Sequence, residues 1–165
     1  MAWVTGRTVQ QCPIGCGRVG TLGRVNAILE RLRAAAPAAF AGVPVAFAYL
    51  FGSHASGQAT ARSDIDVAVH LVPDAIDVVD HLTLRMELAG RIERDVGAGP
   101  VEVVVLDEAP IALAGRIREH GRLFYCVDDV QRVRYESRIS REFHDFSIHE
   151  ERSARERLAR LAEPR

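Results

Sequence analysis

Apolar residues along the chain fall into blocks of two different periods. Val25, Ile28, Leu29 and Leu32 follow helical spacing, which predicts a first helix that Pro37 ends. Pro44 then introduces residues 45–51, a run apolar enough to be a central strand buried on both faces. A Gly52-Ser53 turn follows, with a short helix expected over 56–61 and a second strand over 64–71. Beyond Pro73, Ile76, Val79, Leu82, Met86 and Ala89 mark another helix, which runs to the turn at Gly97, Gly99 and Pro100. Residues 101–106 read as a third strand, Ile111, Leu113 and Ile117 as a helix with a stop at Gly121, and 122–126 as a fourth strand. Asp128 can cap a long, charged last helix in which Ile139, Phe143 and Phe146 make a docking stripe.

Strands and helices in this alternation predict an α/β fold: a small mixed sheet with helices packed on one side and a long C-terminal helix. Three stretches follow from it. Residues 1–23, glycine-bearing and without periodicity, read as a variable extension, 24–127 as the main domain, and 128–165 as a C-terminal helix suited to docking a partner. Within that helix, Glu151 and Arg155 and then Glu156 and Arg160 are carboxylate-first pairs four residues apart, each contributing roughly 0.2–0.5 kcal/mol.

Composition narrows the chemistry. With 165 residues the chain makes one domain, short for an enzyme that must enclose two substrates. A formal charge of −1 gives no reason to expect direct nucleic-acid binding, which normally needs a cationic excess. All 21 basic residues are arginine, so Schiff-base, lysyl-adenylate and P-loop lysine chemistry are excluded, and with them nucleic-acid ligases and Walker-type ATPases. No apolar run is long enough to span a bilayer and no secretory core occupies the first twenty residues, which points to a cytoplasmic protein. Cys12 and Cys16 lack a matching second ligand pair and Cys126 is remote, so the thiols read as reduced and spare.

The stretch 49–69 carries the chemistry. Asp64 and Asp66 are two apart at a strand start and therefore share a face, and two carboxylates on one face suit a hard divalent ion, Mg²⁺ or Mn²⁺, that also holds nucleotide phosphates. Gly52 allows close backbone approach to a triphosphate, and the Ser53 hydroxyl with the following N–H groups can bind its oxygens.

Gly-Ser, ten residues, then Asp-x-Asp resembles the polymerase-β-like nucleotidyltransferase superfamily, and within it the minimal nucleotidyltransferase (MNT) family. The likeness continues through the strand with Glu102, then Ala109-Pro110, Ile117, Gly121 and 123–125, and so covers the chain from about Val25 onward. It implies that Asp64, Asp66 and Glu102 hold the metal and carry catalysis, Glu102 assisting deprotonation of the acceptor hydroxyl, with Gly52, Ser53, Arg62 and Ser63 on the nucleotide. Glutamate stands at 102 where the family usually has aspartate, and Asp107 and Glu108 at the strand's end remain competing third acids. Ser56 replaces an arginine common among relatives; Arg62 is its candidate substitute, against a plain solvated loop arginine. His70 and His81 read as surface or satisfied core histidines.

Members of that family typically pair with an all-helical HEPN (higher-eukaryote-and-prokaryote nucleotide-binding) ribonuclease toxin, as antitoxins that transfer AMP from ATP to a partner tyrosine. The resemblance implies the same here, with a metal and ATP required. Two rivals stand beside it: an aminoglycoside-type small-molecule nucleotidyltransferase, for which no acceptor-enclosing domain is visible, and a non-catalytic antitoxin that masks its partner by docking.

Overall fold

In a computed structural model of the protein the described residues are 22–72 and 81–162, with side chains over 25–72 and 81–150. Residues 1–21 with Cys12 and Cys16, the helical positions Ile76 and Val79, and the ion pairs of 151–160 lie outside these bounds. The elements are α1 (Leu22–Ala39), β1 (Val45–Phe51), α2 (Gly52–Ser56), β2 (Ile65–Leu71), α3 (His81–Val96), β3 (Val101–Val105), α4 (Ile111–His120), β4 (Arg122–Cys126) and α5 (Asp129–Ala162). The strands form one mixed sheet of order β3-β2-β1-β4, with β1 antiparallel to both neighbours and β2 parallel to β3.

Helices cover both faces of this sheet, not one as the sequence suggested. The reason lies in β1, which is buried from Val45 through Leu50 with no polar alternation, so neither face can meet water. One core gathers Ile28, Leu29 and Leu32 of α1 and Leu88, Ile92 and Val96 of α3 against Leu50, Ile65, Val67 and Val69. The other packs Ala114 and Ile117 of α4 and Tyr135 and Ile139 of α5 on Ala46, Phe47, Tyr49 and Ala68.

The helices depart from expectation in two boundaries and one buried face. Helix α1 runs through Pro37 to Ala39. A proline in a helix interior costs about 3 kcal/mol, whereas burying Ile28, Leu29, Leu32 and Phe40 contributes roughly 1.5–3 kcal/mol each, and the ladder closes again with Phe40 N donating to Ala36 O at 2.9 Å. Helix α2 starts at Gly52-Ser53 itself and not at 56, because Gly57 at φ 78° stops it one turn later. On α3, Leu82 and Met86 face outward, at 58% and 68% exposure, and the buried face is Leu88, Ile92 and Val96.

The long helix α5 is fastened as its sequence indicated. Asp128 Oδ1 accepts from Gln131 N at 2.9 Å, and the stripe continues through buried Ile139 to half-buried Phe143 and Phe146. Gly115 of α4 makes this packing possible, since a Cβ there would lie 2.2 Å from the Phe143 ring. A polar clip adds direction: the Tyr49 hydroxyl of β1 donates to Glu136, whose carboxylate also accepts from Arg132 at 2.6 Å, and Arg132 reaches back to Asp129 at 2.6 Å. No helix among the described residues is long and apolar enough to cross a membrane.

Candidate functional site

The strand directions bring the end of β1 and the starts of β2, β3 and β4 to one edge of the sheet. Phe51 at the end of β1 pairs with Asp66, Asp66 lies beside Glu102 in the parallel β2–β3 register, and Leu50 pairs with Arg122. Ile65 and Val67 point into the α1/α3 core, so Asp66 between them points to the α4/α5 face. Asp64, immediately before β2, shares that parity. Three carboxylates separated by up to 38 positions in sequence thereby share one edge of the sheet.

Gly52 is fitted to Asp66. Its φ is +68°, and a Cβ there would sit 2.0 Å from Asp66 Oδ2 and 2.9 Å from Cγ. The glycine expected to let the backbone approach a triphosphate makes room, in the first place, for a carboxylate. Next to it the Ser53 hydroxyl has no partner among the described residues, while the Ser53 carbonyl accepts from Gln58 N at 2.9 Å and from Ser56 Oγ at 3.2 Å.

Burial raises the Asp66 carboxyl above its ordinary value; the neighbouring charges of Glu102 and then Asp64 raise it further, and His54 opposes them. His54 also donates from Nε2 to the Ser63 carbonyl at 3.2 Å, tying α2 to the loop that delivers Asp64. Glu102 itself is exposed on edge strand β3. Burial therefore does not set its direction; its place beside Asp66 in the β2–β3 register does. Among the described residues no three His, Cys, Asp or Glu side chains already converge on a common point. Carboxylates on one face, with Asp66 held partly out of water beside the charges of Glu102 and Asp64, are nonetheless the donor type that a hard divalent cation takes.

The competing acids are engaged elsewhere. Asp107 Oδ1 lies 3.0 Å from His70 Nδ1, at the opposite edge of the sheet, and Glu108 pairs with His81. His70 is a core histidine, stacked on Phe47 with centroids 4.6 Å apart and accepting from Gln131 Nε2 at 3.0 Å. Ser63 Oγ accepts from Thr60 N at 2.9 Å and so shapes its own loop, and Arg62 is exposed there with its backbone N donating to Thr60 Oγ1 at 3.3 Å.

Sequence reasoning missed the opposite wall. A cavity of about 560 Å³ opens between α2 and the α4–β4 junction, with Phe51, Gly52 and Ser56 on one side and Arg116, Glu119 and Arg122 on the other. Arg62 does not line it. An arginine on a helix and another at a strand start look like solvated surface in sequence, and only the antiparallel pairing of β4 with β1 carries them to the site edge.

Comparison with known proteins agrees with this fold. A family model described as polymerase beta, nucleotidyltransferase matches residues 40–130, more than half of the chain. Among solved structures, a chain of a mutant MntA–HpeT toxin–antitoxin superimposes with a TM-score of 0.58 at 20% identity, over 81% of this chain and 98% of that one. A toxin–antitoxin crystallised with AMP-PNP gives 0.52 at 22% identity, over 84% of this chain and 98% of that one. The tri-AMPylated Shewanella oneidensis HEPN toxin in complex with MNT antitoxin gives 0.52 at 19%, over 84% and 99%. A search of curated proteins finds no match.

Proposed function

The chain belongs to the polymerase β nucleotidyltransferase family, and from that premise we propose that it is a protein adenylyltransferase, moving AMP from ATP to a tyrosine hydroxyl of a helical, HEPN-type ribonuclease toxin. The observation that carries the reading is the grouping of Asp64, Asp66 and Glu102 beside Gly52-Ser53 at one sheet edge. Asp64, Asp66 and Glu102 would hold a divalent metal, which when bound supplies charge neutralisation for the triphosphate and the departing pyrophosphate. Ser53 binds a phosphate oxygen through its free hydroxyl. Glu102, exposed where an acceptor would arrive, takes the proton of the incoming hydroxyl. The hydroxyl oxygen then bonds to the α-phosphorus, the bond from that phosphorus to the bridging oxygen breaks, and pyrophosphate leaves with the electron pair.

A partner supplying the acceptor is supported by two features. The described chain has no second domain to enclose an acceptor, and α5 presents Val130, Val133 and Ile148 to solvent at 62%, 47% and 54% exposure. Residues 128–165 are the proposed docking element, and the three similar solved chains described above come from toxin–antitoxin structures, one with an AMPylated toxin.

The test is intact-mass measurement after incubation with ATP, Mg²⁺ and the product of the adjacent gene. AMP increments on the partner, lost in the Asp64→Asn/Asp66→Asn variant, are expected. Tight binding without a mass change would favour masking, and modification of aminoglycosides alone would favour the small-molecule enzyme.

A further inference from the structure

The cleft at the sheet edge is electrically two-ended. Asp64, Asp66 and Glu102 make one end acidic. The other end is the cavity of about 560 Å³, where Arg116 and Arg122 face Gly52 and Ser56. Gly52 belongs to both, lining the cavity and touching the Asp66 carboxylate.

The two guanidinium groups are uncommitted. Arg122 has no side-chain partner among the described residues, and Arg116 is engaged only through Nε, which donates to its own helix at Ala112 O, 3.1 Å away, leaving both terminal nitrogens open. Glu119 is the one carboxylate on this wall, against two arginines, so the wall retains a positive excess. Leu113, Ile117 and Ala55 floor the cavity with hydrocarbon, which lowers the local dielectric and strengthens any charge pairing above it. Open guanidinium forks over an apolar floor suit an oxyanion that can accept paired hydrogen bonds, and beside Gly52-Ser53 that anion is a phosphate.

We infer that this cavity is the polyphosphate subsite, with Arg116 and Arg122 as the cationic arms that hold the end of the nucleotide's phosphate chain remote from the carboxylates. The inference rests on the nucleotide reading above and adds to it the residues that bind the leaving pyrophosphate. In this arrangement Ser56 needs no positive charge, because the charge comes from across the cleft.

Calorimetry with inorganic tripolyphosphate, and with Mg²⁺-ATP and adenosine beside it, tests this without any transfer reaction, using wild type, Arg116→Gln, Arg122→Gln, the double variant and Arg62→Gln, with Arg94→Gln on the far face as control. Both arginines are exposed, so the substitutions should leave the unfolding midpoint unchanged. Each single change should weaken tripolyphosphate by about tenfold, the worth of a charge-assisted pair, the double variant more, and Mg²⁺-ATP in parallel, with Arg94→Gln silent. Equal tripolyphosphate binding by wild type and double variant, no binding by wild type, or a loss carried by Arg62→Gln instead would overturn the subsite. So would a loss confined to adenosine, which would make the cavity a base pocket. Failure of the transfer reading looks different: no AMP reaches any partner while the arginine variants still lose tripolyphosphate.

Discussion

Replacing Gly52 by alanine isolates the contact on which the site is built. Two costs add. A side chain at φ +68° carries strain of roughly 1–2 kcal/mol, and a Cβ placed 2.0 Å from Asp66 Oδ2 and 2.9 Å from its Cγ forces an overpacking penalty of roughly 1–3 kcal/mol. Gly42 separates them, since it has φ +76° with nothing within 4 Å of its virtual Cβ, so Gly42→Ala should show the strain alone. Urea unfolding in EDTA should therefore place Gly52→Ala roughly 1–3 kcal/mol below Gly42→Ala. In an Asp66→Ala background the excess should vanish, because Asp66 Cβ stands at a tolerable 3.4 Å. The aspartate has one other escape, rotation of its short side chain away from Gly52, which spares stability but takes the carboxylate out of the site. Either way Mg²⁺-ATP affinity must fall in Gly52→Ala and hold in Gly42→Ala. A Gly52→Ala protein as stable as Gly42→Ala and still binding Mg²⁺-ATP normally would refute the reasoning.

Other perturbations follow from the same geometry. Because the folded state raises the Asp66 carboxyl above its ordinary 3.8, metal-free stability is lost as pH rises from that value through the folded one. Asp66→Asn should thus be the more stable protein at neutral pH in EDTA, the gap closing below the ordinary value, as pH-dependent melting would show. Glu102→Gln should lower transfer by about 10²–10⁴-fold with ATP binding nearly intact, and Asp107→Asn, at the far edge beside His70, should lower the unfolding midpoint while sparing transfer; the reverse ranking in single-turnover assays would reassign the third acid. Tyr49→Phe, which removes the donor to Glu136, should cost about 0.5–1.5 kcal/mol in denaturant titration.

What the sequence disclosed was local, and what it withheld depended on pairing at a distance. Gly52-Ser53 and Asp64/Asp66 lie within fifteen residues, so one strand-turn-strand reading captures them. Glu102 and Asp107 stand on the same apolar run and look equivalent; only the β2–β3 register puts Glu102 beside Asp66 and leaves Asp107 with His70. The continuous burial of β1 already required cover on both faces, yet the helix stripes carry no label for which face each one takes. Pro37 failed as a stop because burial of its neighbours outweighs one missing hydrogen bond, a balance of tertiary energies that a local rule cannot contain. Arg116 and Arg122 were invisible for the same reason as Glu102 was ambiguous, since their partners across the cleft come from an α2 some sixty residues earlier.

The clip on α5 connects these observations to the proposed use of a partner. At about 1.5 Å per residue the 34 residues of α5 extend to about 50 Å, whereas a seven-residue strand such as β1 spans about 24 Å. The helix must outrun the sheet, and a lever that long would swing unless fixed near its base. Tyr49, Glu136 and Arg132 fix it there, on β1 at a position two residues before Phe51 and three before Gly52. Phe143 against Gly115 fixes it a second time, two turns further on, to the same α4 whose later residues line the cavity. A protein gripping the projecting part of α5 is then held at a set position relative to Asp66 and Glu102, which is the condition for presenting one hydroxyl in line with a phosphorus atom without a pocket built around it.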